Sequence, residues 1–270
     1  MDITADRIWA DFRMVRETTP LVLSLTNSVV QEFTANALLA LGASPIMSDA
    51  LEEITELVGL ANALNLNIGT PTPRSAEAMA LAAQAAKARQ IPIVLDPVAV
   101  GATELRRKLA DRLLQIVPSA VIRGNQAEIA ALAGLPAIAR GVDATESSDQ
   151  AAVAVRQLAK RLRTVAVASG AIDYLSDGDS VIAVDNGHPL MARITGSGCV
   201  ATAVIAAFLT VNSNALAAAI SAMVVMDIAG ELAAEHSRSE GPGSFQIRFL
   251  DTFDKLGPDH LEARMKVTRV

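Results

Sequence analysis

Between about residue 20 and residue 200, short runs of Val, Ile and Leu alternate with longer Ala-rich stretches, and this alternation restricts the fold more than any other feature. Residues 20–25, 44–47, 64–68, 91–95, 120–122, 165–168, 181–184 and 191–194 read as strands. Residues 32–41, 75–89, 103–116, 126–133 and 148–161 carry apolar side chains at helical spacing. A strand that returns to a parallel neighbour needs a crossover, and a helix supplies it. The order therefore predicts an α/β fold with a mainly parallel central sheet and helices on both faces. The strand runs barely alternate with polar residues, as expected when both sides are covered. With no internal repeat, no Ser/Gly linker and no long charge block, residues 1–270 are expected to form a single domain.

Composition removes several functional classes. Hydrophobic residues make up 51% of the chain, too many for a disordered polymer. A single Cys excludes a disulfide framework and a Cys-rich metal centre. The net charge of -6 argues against a nucleic-acid surface, which needs basic side chains to displace counterions. Asp2, Asp6, Arg7, Asp11 and Arg13 interrupt the N-terminal region, so it holds no signal-type apolar run. Ile8, Trp9, Phe12 and Val15 fit a short amphipathic helix instead. No charged residue occurs from Ile194 to Met226, but Gly196, Ser197 and Gly198 break its start and Asn212, Ser213 and Asn214 its middle. The pieces 200–211 and 215–226 are each shorter than the roughly 20 residues of a membrane helix and read as buried core helices. The expectation is a soluble cytoplasmic enzyme or small-molecule binder, without membrane or nucleic-acid partners.

Polar and turn-forming residues follow many of the strands. Asn27, Asn67, Asp96, Arg123 and Ser169 all stand at or just beyond carboxyl ends, where open α/β sheets bind ligands. The richest stretch is Thr195-Gly196-Ser197-Gly198-Cys199, which runs directly into an apolar helix. Two glycines before a helix leave backbone N–H groups unshielded, and with the helix dipole they can hold an anion such as a phosphoryl group. The same field would lower the pKa of Cys199 and let it accept a proton from an attacking hydroxyl. The plainer alternative is a tight turn with a buried Cys acting as a small hydrophobe. Gly196, Gly198 and Ala201 also satisfy G-x-G-x-x-A, but a dinucleotide site needs an acid about 20 residues on, and none comes before Asp227. No Walker loop is present.

Asn125 and Glu128 have the spacing of a capping box, a role that Gln could also fill at 128. Glu128 could alternatively stand near Mg²⁺, with Asp96 as a second carboxylate and Arg123 as a phosphate ligand. Asp96 before Pro97 also suits an Asx turn. His188, His236 and His260 have neither metal-ligand spacing nor an evident partner and are expected at the surface.

Longer blocks carry a resemblance. They are Leu25-Thr26-Asn27, the run from Phe33 to Pro45 with Met47, Leu66-Asn67-Ile68-Gly69-Thr70 and Leu95-Asp96-Pro97-Val98 with Gly101-Ala102-Thr103. Further along come Ile122-Arg123-Gly124-Asn125 with Glu128, Gly141-Val142-Asp143, Ile194 to Cys199 and Gly241-Pro242-Gly243-Ser244-Phe245. In this order, over nearly the whole chain, they resemble the hydroxyethylthiazole kinases of the ribokinase-like superfamily. Cys199 is the specific mark, because most ribokinase-like enzymes have an Asp base there.

The resemblance implies phosphorylation of the hydroxyl of 4-methyl-5-(2-hydroxyethyl)thiazole, in thiamin biosynthesis or salvage, with ATP as co-substrate and Mg²⁺ as cofactor. It implies Cys199 as catalytic residue, Arg123 and Ser169 as ATP ligands, Met47 and Gly196 as substrate contacts, and Asp96 and Glu128 beside the metal. It also implies a homotrimer with active sites at subunit interfaces. A ribokinase-like kinase for another small alcohol, such as a hydroxymethylpyrimidine, is the nearest rival. The chain departs from the family pattern at Ser24 (usually Asn), Ala99 (usually Gly), Ser169 and Ser197 (both usually Thr). Ala99 bears most on local geometry, because Gly tolerates positive φ where Ala does not.

Overall fold

Short apolar strands and amphipathic or Ala-rich helices follow one another along the chain in a computed structural model that describes residues 2–116, 120–135, 144–237 and 240–270. The Gly141-Val142-Asp143 block lies outside the described residues. The strands are β1 (Leu21–Leu25), β2 (Ser44–Met47), β3 (Ala63–Asn67), β4 (Ile93–Asp96), β5 (Val121–Asn125), β6 (Val165–Ser169), β7 (Asp173–Ser176), β8 (Val181–Val184) and β9 (Val267–Arg269). They form one sheet in the order β2-β1-β3-β4-β5-β6-β7-β8-β9. Every pairing from β2 to β6 is parallel, and β7, β8 and β9 add antiparallel strands at one end. This is the mainly parallel sheet expected from the alternation.

The helices are α1 (Ala5–Thr18), α2 (Gln31–Leu41), α3 (Ile54–Leu60), α4 (Pro73–Arg89), α5 (Glu104–Ile116), α6 (Gln126–Ala133), α7 (Ala144–Leu162), α8 (Ser197–Leu209), α9 (Ala215–His236), α10 (Pro242–Lys255) and α11 (Pro258–Arg264). Successive strand residues point to opposite faces and join two separate cores. Val22, Ala63, Val94, Val121 and Val167 pack on the side of α1, α2, α8, α9 and α10. Leu23, Leu64, Leu95, Ile122 and Ala166 pack on the side of α3 to α7. Both faces are covered, which explains why the strands show no polar alternation.

The uncharged stretch forms α8 and most of α9. Helix α9 is long and apolar enough to cross a membrane, yet 83% of its apolar window is buried inside the fold. It packs against α1, α8 and α10.

Three local expectations change. Residues 191–194 do not form a strand. Pro189 starts a 3₁₀ turn, Pro189–Arg193, and His188 Nδ1 caps it by accepting the Leu190 N–H at 3.2 Å. Proline has no N–H to give a sheet ladder, and Met191 to Arg193, in the short run that follows it, take the turn of the 3₁₀ helix instead. Strands β7 and β9 were not expected, because one is short with polar ends and the other has three largely exposed residues. Helix α8 begins at Ser197, directly after Gly196, so the glycine loop is part of its first turn.

Candidate active site

Because β1, β3, β4, β5 and β6 run parallel, their carboxyl ends bring Asn27, Asn67, Asp96 and Ser169 to one edge of the sheet, and Arg123, two residues before the end of β5, reaches the same edge through its side chain. The first turn of α8 lies across the same edge. A hydrogen-bonded chain connects these elements. Asn27 Nδ2 donates to Cys199 Sγ at 3.4 Å and to Asn67 Oδ1 at 2.9 Å. Asn67 Nδ2 donates to Asp96 Oδ2 at 2.6 Å, and Thr202 Oγ1, one turn along α8 from Gly198, donates to the same oxygen at 3.0 Å. Backbone N–H groups of Val29 and Gly69 fix the two amide oxygens. Asp96 is 1% exposed, and burial, reinforced by Glu128 and opposed by Arg123, pushes it up to about 6. The sequence marked the positions of Asn27 and Asn67 but not their partnership, which spans 40 residues.

Cys199 differs from the expectation of a thiol activated by its helix. Burial, and after it the charge of Asp96, pushes the thiol up to about 11. Asn67, Arg123 and Asn27 pull the other way without prevailing. In the protein alone Cys199 is therefore a protonated thiol, because desolvation outweighs the partial charge of a helix end.

Arg123 is 8% exposed and donates through Nη2 to Ser169 Oγ. Its guanidinium lies against the first turn of α8, where a Cβ on Gly198 would fall 2.5 Å from Nη1. Gly198 is thus a glycine because an arginine occupies the space of a side chain. Gly196 is one for two reasons. Its φ is +90°, and a Cβ would fall 2.7 Å from Val30 Cγ1. A cavity of about 490 Å³ opens beside this turn, and its lining combines Arg123, Ser169 and Gly198 with the apolar side chains of Met191, Met223 and Met226. Its size and its combination of a guanidinium with apolar side chains suit a nucleotide.

Asn125 and Glu128 do form a capping box. Asn125 Oδ1 accepts the Glu128 N–H at 2.9 Å, and Glu128 Oε2 accepts the Asn125 N–H at 2.7 Å. The other oxygen, Oε1, accepts the Ala99 N–H at 2.7 Å. Ala99 has φ +55°, so this residue takes up the left-handed conformation for which the family pattern uses Gly. Glu128 therefore pins a strained loop as well as capping α6, and a Gln could serve only one of its two N–H partners. Gln can still serve as the cap, as the sequence suggests, but the hold on Ala99 is a second task that the sequence did not reveal.

Asp96 and Glu128 act on each other as like charges next to Arg123. Such a donor set fits Mg²⁺ shared with water and phosphate oxygens. Among the described residues no group of three His, Cys, Asp or Glu side chains forms a protein-only metal cage. Met47 ends the edge strand β2, paired in register with Ser24, and does not line the nucleotide-sized cavity. Of the three histidines, His188 and His236 are exposed, whereas His260 is only half-buried and its Nδ1 accepts the Gly257 N–H at the start of α11.

A family model described as the hydroxyethylthiazole kinase family matches residues 12–259. The chain is 46% identical over 264 residues to a hydroxyethylthiazole kinase from Nitratidesulfovibrio vulgaris (strain DSM 19637 / Miyazaki F), covering 98% of each chain. It is 46% identical over 268 residues to one from Syntrophus aciditrophicus (strain SB), covering 99% of this chain and 98% of that relative. The solved hydroxyethylthiazole kinase from Pyrococcus horikoshii OT3 superposes with a TM-score of 0.91 at 38% identity, over 98% of this chain and 99% of that one. Pyridoxal kinase from Staphylococcus aureus, with a TM-score of 0.57 at 14% identity over 78% of this chain and 88% of that one, shares the fold.

Proposed function

This chain belongs to the hydroxyethylthiazole kinase family and phosphorylates the hydroxyl of 4-methyl-5-(2-hydroxyethyl)thiazole with ATP, and from that premise we propose the part each of its residues takes. Arg123 binds the phosphates of ATP from its position against α8, and Ser169 orients it. The N–H groups of the first turn of α8 face the transferring phosphoryl group. Gly196 lets the loop approach the thiazole closely, and Met47 contacts the ring. Asp96 and Glu128 hold Mg²⁺, which when bound supplies positive charge beside the phosphates.

Cys199 receives the hydroxyl proton as the substrate oxygen attacks. Burial and Asp96 keep its proton on in the protein alone, while Asn27 and Arg123 favour the thiolate. Offsetting the charge of Asp96 leaves burial alone opposing ionisation. The observation that carries this reading is the chain from Cys199 through Asn27 and Asn67 to Asp96, set at the start of α8 beside Arg123. The test is ADP release with Mg²⁺ and the thiazole alcohol, in the wild type and in Cys199→Ser. Loss of the base should lower kcat by about 10²–10⁴ without shifting Tm. Full activity in a folded Ser variant rules out the proton-accepting role, and turnover on pyrimidine alcohols but not the thiazole rejects the substrate.

The protein works in the cytoplasm as a homotrimer, with residues 1–270 as a single kinase domain. Exposed Leu39 and Leu60, on the helices flanking edge strand β2, support an interface beside Met47. Light scattering at the mass of three 28.2 kDa chains is the expected result, and a monomer carrying full activity overturns it.

A further inference from the structure

Two buried acids take no part in this account. Asp173, at the start of β7, and Asp227, on α9, are each 4% exposed and lie side by side in the wall of the cavity. Asp173 Oδ1 accepts the Gly170 N–H at 2.8 Å, tying the pair to the loop that follows Ser169. No N–H or hydroxyl among the described residues donates to Asp227 Oδ2. Burial raises both, Asp173 to about 6, and the charge of Asp173 raises Asp227 further, while the hydrogen bond between the two carboxyls holds Asp173 down, so the pair shares a proton. Arg123 draws both down, and Glu231, one turn further along α9, pushes Asp227 up. Glu231 is itself engaged by Asn186 and the Gly187 N–H.

The position of the pair matters more than its titration. On one side Asp173 connects through Gly170 to Ser169, the partner of Arg123. On the other, Asp227 is flanked along α9 by Met223 and Met226, which line the same cavity. Gly187 passes over the carboxyl without a side chain, and a Cβ there would fall 3.6 Å from Asp227 Oδ1. A nucleotide held on Arg123 by its phosphates carries its ribose next along the molecule. Asp227 is near enough to Arg123 for their charges to interact, and it is a buried acceptor with an unpartnered oxygen in the wall of the same cavity. Carboxyl groups are the usual acceptors for ribose hydroxyls in nucleotide sites.

We propose that Asp227 accepts a hydrogen bond from a ribose hydroxyl of the nucleotide, so that this kinase selects ribonucleoside over deoxyribonucleoside triphosphates. Asp173 is its positioning partner, holding the carboxyl through the shared proton. The acid absent from the expected distance after the glycine loop is thus supplied from farther along the chain, on α9. The inference rests on ATP occupying this cavity.

The experiment compares ATP, 2′-deoxy-ATP and 3′-deoxy-ATP as donors to the thiazole alcohol, in the wild type and in Asp227→Ala, with Tm measured for both. For the wild type, KM for at least one deoxy analogue should exceed that for ATP by about tenfold, the scale of one lost hydrogen bond to a charged or proton-sharing group. In Asp227→Ala the ratio should fall towards one, through a higher KM for ATP. Equal wild-type KM values for all three nucleotides overturn the proposal without any variant, and so does unchanged discrimination in a folded Asp227→Ala protein. If Asp227 read the base instead, the variant would lose discrimination between ATP and GTP while deoxy analogues bound as well as ATP throughout, which also overturns it. Failure of the nucleotide site itself looks different: KM for ATP would then be indifferent to Arg123→Ala.

Discussion

Replacing Gly198 by Ala separates the stability of the fold from the working of the site. The new Cβ would stand 2.5 Å from Arg123 Nη1, 3.1 Å from Nη2 and 3.2 Å from Cζ, so the guanidinium must leave its place. The backbone raises no objection, since Gly198 is helical and absent from the positive-φ positions. Ala in place of Gly favours a helix by roughly 0.5–1 kcal/mol. Against this stands the hydrogen bond from Arg123 to Ser169, but the end of an Arg side chain can swing into the cavity and find water. Tm should therefore shift little. Binding of ATP should suffer, because a charge-assisted contact of about 1.5–3 kcal/mol is lost with the displaced guanidinium. That corresponds to a rise in KM for ATP of roughly 10- to 150-fold. KM for the thiazole alcohol should change far less. Gly196→Ala is the contrast, since φ +90° and a Cβ 2.7 Å from Val30 Cγ1 strain the fold itself. Steady-state kinetics with each substrate varied in turn, alongside calorimetric melting, give the answer. An unchanged KM for ATP in a folded Gly198→Ala protein would refute the role given to Arg123.

Glu128→Gln should cost about 1–3 kcal/mol in denaturant unfolding, because one of the Ala99 and Asn125 N–H groups loses its acceptor. A variant as stable as the wild type would show that Ala99 is not held by this carboxylate. Asp227→Asn should raise stability at neutral pH. The folded protein keeps protons on Asp173 and Asp227 that the unfolded chain releases near about pH 4, so stability from this pair is complete below that pH. It is lost as pH rises through about 6, the value for Asp173, and the Tm gap in favour of the variant should widen between about pH 5 and pH 7. A gap independent of pH would show that the two acids do not share a proton.

The parallel part of the sheet was legible because strands covered on both faces leave unbroken apolar runs, as at Leu64 and Val94. β7 was hidden because four residues with Asp173 at one end and Ser176 at the other look like a turn. The 3₁₀ turn is hard to see in sequence because Met191 to Ile194 resembles the other short apolar runs, and only Pro189 just before it signals a turn. In the site, Asp96, Arg123 and Ser169 stood out as polar residues ending strands, and the structure gathers them with Cys199. The pairing of Asp173 with Asp227 left no local mark, because it joins a strand to a helix 54 positions away and depends only on tertiary packing. The acidity of Cys199 was misjudged for a related reason: a helix start is visible in sequence, whereas desolvation by neighbours from β1, β3 and β4 is not.

The state of that thiol also bears on oxidative damage. Peroxide attacks the thiolate, and a side chain pushed up to about 11 offers almost none of it at neutral pH. The chain has one cysteine, so no second thiol could resolve a sulfenic acid within the same subunit, and overoxidation would be irreversible. Burial next to Asp96 thus shelters the sulfur of the unliganded protein from oxidation.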